Sequence, residues 1–112
     1  MAHFPKVHAN QRSPRTQISH PEPTRFRIGD HLVTGNLQRI SLTGGSALFN
    51  RNIHSGTLAE IAIATKFGPV CGLVEFLAGR RATLTAQEHG FRFVALSDDD
   101  YQRLGRVLQA MN

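Results

Sequence analysis

From residue 24 onward, short apolar runs alternate with turn residues. Residues 24–28 form a candidate strand that Gly29-Asp30 closes. Residues 31–42 form a second strand region, with a bulge expected near Gly35-Asn36. Residues 46–49 follow a Gly44-Gly45 turn, and residues 50–56 read as a polar connection. Residues 70–77 are almost continuously apolar, the pattern of a buried strand, and residues 90–96 form another. In that last run Phe91 and Phe93 share one face while Arg92 and Val94 take the other.

Residues 57–64 are open to two readings. Thr57-x-x-Glu60 matches a capping box and favours helix. Alternation of Ala59, Ile61 and Ile63 with Leu58, Glu60 and Ala62 favours strand. The tail is less equivocal. Ser97 suits an N-cap, Asp98, Asp99 and Asp100 load the first turn, and Tyr101, Leu104, Leu108 and Met111 recur at helical spacing. Short strands followed by one terminal helix predict an all-β fold, a small antiparallel barrel with a helix packed on an open end or face.

Residues 1–23 lack this patterning. Pro5, Pro14, Pro21 and Pro23 interrupt a mainly polar stretch, so residues 1–10 are expected to be loosely held. The chain divides into a flexible leader, residues 1–23, and a body, residues 24–112. Charge follows a similar division. Residues 1–27 carry five Lys and Arg against Glu22 alone, which accounts for +4 of the net +5. Such a leader can steer an anion towards the body.

A length of 112 residues suits one small domain with one core. No apolar run approaches the roughly 20 residues of a membrane-spanning helix. The charged, proline-rich start is not a secretory signal, and the single Cys71 excludes an intrachain disulfide, so a cytoplasmic location is expected. Cys71 lies in an apolar run and reads as a buried, inert thiol. His3, His8, His20, His31, His54 and His89 show no paired metal-ligand spacing and read as mostly loop or surface residues. No metal site, cofactor, acid–base pair or activated nucleophile is recognisable, which argues against an enzyme. Phe49, Phe76, Phe91 and Phe93 lie in strand-like runs and read as core, which makes a nucleic-acid-binding barrel a poor fit despite the basic charge.

The candidate chemistry lies where the leader meets the second turn. Arg39-x-Ser41-x-x-Gly44-Gly45 ends one strand and begins the next, with Arg12 and Arg15 upstream. By strand alternation Arg39 and Ser41 are expected on the outside, with Ile40 and Leu42 inside. Forked guanidinium donors beside a small hydroxyl and bare backbone suit a compact anionic ligand with flat, hydrogen-bonding bases.

This arrangement resembles the PilZ family, small barrel domains that bind cyclic di-GMP in bacteria. The family carries an Arg-x-x-x-Arg element followed by an Asp/Asn-x-Ser-x-x-Gly element. Arg15, Ser41 and Gly44 match it, while Gln11 stands at the first arginine position and Arg39 at the acidic or amide position. The resemblance covers about residues 11–110. It implies a six-stranded antiparallel barrel with a C-terminal α-helix, and it decides residues 57–64 in favour of strand. It also implies a cyclic di-GMP receptor or adaptor that relays its signal to a protein partner not identifiable from sequence. The ligand-binding residues would be Arg12, Arg15, Arg39, Ser41 and Gly44. In the family such arginines clamp phosphates and stack on guanines. Because arginine has no acceptor, Arg39 would instead offer donors to guanine O6 and N7. The alternative is a domain of the same fold that no longer binds nucleotide and serves as a protein-interaction module.

Overall fold

The computed structural model describes residues 2–3, 16–17 and 23–111. Two short strands come from the leader, β1 (Ala2–His3) and β2 (Thr16–Gln17). The body supplies β3 (Pro23–Ile28), β4 (His31–Ile40), β5 (Gly44–Phe49), β6 (Leu58–Ile63), β7 (Val70–Arg81), β8 (Gln87–Ser97) and the helix α1 (Asp98–Met111). All pairings are antiparallel. Around the barrel the order is β8-β5-β4-β3-β6-β7, and β7 pairs again with β8 to close six strands into a ring. Residues 57–64 resolve as strand β6, since Ala59, Ile61 and Ile63 all turn into the core.

The interior is built on phenylalanine. Phe26 sits at its centre, with ring centroids 5.2 Å from Phe49, 5.3 Å from Phe76 and 5.6 Å from Phe91. Edge-on and tilted contacts of this kind add to the gain from burying the rings. Around them pack Val33, Leu37, Ile61, Val74 and Leu96.

Several boundaries and placements differ from the sequence expectations. The irregularity in β4 falls between Leu37 and Arg39, not at Gly35-Asn36. Gly35 instead stays in the ladder opposite Thr24, because an added Cβ would meet the Phe49 ring. Strand β7 runs on to Arg81, since an exposed β-hairpin can continue on main-chain pairing after its apolar pattern ends. Within residues 1–10, Ala2–His3 joins the ladder opposite Leu96 and Ser97. Cys71 is exposed: the second residue of β7, it alternates to the outer face next to fully buried Val70. His89 is fully buried within β8, not at the surface.

The two barrel ends are closed differently. At one end the 50–57 connection folds over the opening and Ile53 drops into the core. His89 holds it: the Ile53 amide donates to His89 Nε2 at 3.1 Å, so the ring proton is on Nδ1, 3.2 Å from the Leu77 carbonyl. Gly79, opposite His89 in the ladder, leaves the room that the imidazole fills. At the other end α1 inserts Leu104, 1% exposed, with Tyr101 and Leu108 packed beside it. Ser97 caps this helix, its Oγ accepting the Asp100 amide at 3.1 Å. Arg103 ties α1 to the β6–β7 connection by donating to the Pro69 carbonyl at 2.9 Å.

Candidate ligand site at the 41–44 turn

Strand β4 ends at Ile40, so the two-residue alternation stops before Ser41. The chain turns there, with the Ser41 amide donating to the Gly44 carbonyl at 2.7 Å. The Ser41 hydroxyl is turned inward and is 0% exposed, which differs from the expected outward position beside Arg39. It donates to the Gly44 carbonyl at 3.1 Å, accepts the Thr43 amide at 3.2 Å and lies 3.2 Å from the Thr43 hydroxyl. The Thr43 carbonyl in turn accepts the Phe93 amide of β8 at 2.8 Å. The serine thus fixes the shape of the turn.

Gly44 and Gly45 are required by close approach. A Cβ on Gly44 would collide with the Phe91 carbonyl oxygen, and one on Gly45 with the Arg39 carbonyl oxygen. Three main chains, β4, β5 and β8, meet here with no room for side chains. The turn is therefore a rigid backbone platform.

Arg39 is exposed on the outer face. It pairs in the ladder with Ser46 on one side and Gln17 on the other, and makes no salt bridge among the described residues. The sequence reading missed Glu88, which lies on the neighbouring part of this face. Its carboxylate accepts the Ser46 hydroxyl at 3.3 Å and the Arg80 guanidinium at 2.7 Å. No short-range signal could have identified it, because Ser46 and Glu88 are 42 positions apart.

Arg12 and Arg15 lie outside the described residues. Thr16, the residue after Arg15, does not. Thr16 pairs with Ile40 and Gln17 with Arg39, so the residue after Arg15 lies opposite the residue before Ser41. At the leader's start, Ala2 pairs with Ser97. Residues 2–3 and 16–17 of the leader thus pair with β8 and β4, the second pair next to the 41–44 turn.

Cys71 offers no activated thiol. Its pKa is raised by desolvation first and by the Asp100 carboxylate second, against a lowering contribution from Arg103. No group of three or more His, Cys, Asp or Glu among the described residues is arranged to hold a metal ion. No helix among them is long and apolar enough to cross a membrane.

Comparison with solved structures decides the fold. The PilZ domain of YcgR from Escherichia coli, solved with cyclic di-GMP, superposes with a TM-score of 0.75 at 18% identity, covering 91% of each chain. The chain has a PilZ-like fold. The Bacillus subtilis inhibitor of motility MotI superposes with a TM-score of 0.72 at 11% identity, over 94% of this chain and 52% of that one. Borreliella burgdorferi PlzA in complex with cyclic di-GMP gives 0.56 at 14% identity, over 86% and 50% of the two chains. The chain thus spans about half the length of the latter two. No family model and no curated protein matches the sequence. The low identities agree with the departures at Gln11 and Arg39 from the PilZ motif pair.

Proposed function

We propose that this domain is a non-enzymatic receptor for cyclic di-GMP that relays the signal to a partner protein in the bacterial cytoplasm. The observation that most supports this reading is the pairing of Thr16–Gln17 with Arg39–Ile40, which brings the chain beside Arg15 to the 41–44 turn. In this reading Arg12 and Arg15 fork onto the ligand's phosphates, and their flat guanidinium faces stack on its bases. Ser41 and Gly44 contribute the platform, and Arg39 offers its donors to guanine O6 and N7. Its freedom from any salt bridge among the described residues leaves those donors available. Binding would bring Arg12 and Arg15 onto the ligand beside the 41–44 turn and present a new surface to the partner.

Two observations favour the second reading, a PilZ-like interaction module without nucleotide. The Ser41 hydroxyl is already committed inside the turn, and Arg39 has no acceptor for a guanine edge.

Calorimetric titration with cyclic di-GMP, with GTP as control, separates the two. The receptor reading expects selective binding, and Arg15→Ala to weaken it more than about tenfold while the domain stays folded. The sign at Arg39→Asp is informative: weaker binding supports direct readout of guanine, and stronger binding means that Arg39 impairs the site. Absence of binding in the wild-type chain favours the interaction module.

A further inference from the structure

A second surface lies apart from the 41–44 turn. Outside β3, β6, β7 and β8 runs an open groove of about 750 Å³. Ladder register fixes its layout. Arg25 lies opposite Ala62, and Ala62 opposite Cys71. One step up, Leu32 lies opposite Arg27, Arg27 opposite Glu60, Glu60 opposite Leu73 and Leu73 opposite Ala95. The floor between the rims is therefore mostly small or apolar: Ala62, Cys71, Gly72, Leu73 and Ala95.

The rims carry opposite charge. Arg25 and Arg27 form one; at the other the groove ends on Ser97 and Asp100, and Asp98 and Asp99 lie between these two in the chain, in the first turn of α1. Arg27 is neutralised by Glu60 at 2.7 Å, and Asp100 faces Arg103 at 3.4 Å. Arg25, Asp98 and Asp99 are exposed and make no salt bridge among the described residues. Three strand spacings, about 14 Å along the sheet, separate β3 from β8. That exceeds the screening length of roughly 8 Å at physiological salt, so the rims do not neutralise each other. Leu32, 70% exposed, and Leu58, 53% exposed, add apolar surface beside the groove.

A face with a cationic rim, an apolar floor and an acidic rim is complementary to itself after a half-turn. We propose that this face joins two copies of the chain about a two-fold axis, with Arg25 of each copy meeting Asp98 and Asp99 of the other. The axis then passes near the middle of the floor, between β6 and β7. Cys71 of each copy lies beside that axis, and as the chain's single cysteine it reports on the contact. The assembly does not depend on nucleotide binding.

The test is sedimentation of the full chain over a range of concentrations, for the wild type, two variants and their mixture. Wild-type protein is expected to dimerise, and Arg25→Glu to weaken the dimer at least about tenfold. The double variant Asp98→Arg, Asp99→Arg is expected to weaken it similarly, leaving the Ser97 cap and Asp100 intact. An equimolar mixture of the two variants is expected to regain the dimer, because both contacts are then between opposite charges. A short bismaleimide at mildly alkaline pH should join Cys71 to Cys71 in the wild type and in the mixture, but not in either variant alone. A wild-type chain that stays monomeric at high concentration overturns the proposal. So does a dimer indifferent to Arg25→Glu, or a mixture of folded variants that fails to assemble.

Discussion

The barrel is closed by residues 50–57 at one end and by α1 at the other, and the two closures use different chemistry. The first relies on one buried imidazole whose two nitrogens are both committed, to the Ile53 amide and the Leu77 carbonyl. The second relies on an apolar stripe, a serine cap and one arginine reaching to Pro69. A polar lock is specific but unforgiving, because losing it strands a buried main-chain group. An apolar plug tolerates small shifts of the element that carries it. The forgiving end is also the one where β1 and β2 attach and where the 41–44 turn lies.

Three substitutions probe this contrast. His89→Ala should have the largest effect, about 3–5 kcal/mol in denaturant unfolding, because it opens a cavity beside Phe49 and Phe76 and strands the Ile53 amide. A loss under about 1 kcal/mol would mean that the histidine is not a lock. Leu104→Ala should cost about 2–4 kcal/mol. Hydrogen exchange should then quicken in α1 before it quickens in β7 and β8. Uniform acceleration would erase the distinction between the ends. Ser97→Ala should cost about 1 kcal/mol, through loss of the cap alone. Its far-ultraviolet dichroism should show fraying of the first helical turn with the strand signal unchanged.

The fold was largely legible because its strands carry their own alternation. Phe26 between Arg25 and Arg27, and Ile61 between Glu60 and Ala62, needed no distant information. The helix was legible because Ser97, the aspartates and Leu104 agree on its start and its face. What failed depended on partners far away in sequence. Cys71 read as core from its apolar neighbours, yet it alternates outward and faces Asp100, whose carboxylate accepts the Cys71 amide at 3.0 Å. His89 read as surface because Gly79, which makes room for it, lies on another strand. At the candidate site, Ser41 and Gly44 were recognisable as a turn. The inward rotation of the Ser41 hydroxyl was not, since it follows from β4 ending at Ile40 and from Phe93 anchoring Thr43.

A closed ring of strands has a consequence for how other molecules can attach. A sheet edge normally offers a row of unpaired amides and carbonyls, onto which a foreign strand can add. Here the six barrel strands run past a neighbour at Leu96–Ser97 of β8 and Arg39–Ile40 of β4, and again at His31–Gly35 of β4 beyond β5 and Leu77–Arg81 of β7 beyond β6. The first two are occupied by the protein's own leader, through β1 and β2. The leader thus serves as a pair of built-in edge protectors. A partner strand that seeks a main-chain template at either of those two edges must first displace residues 2–3 or 16–17.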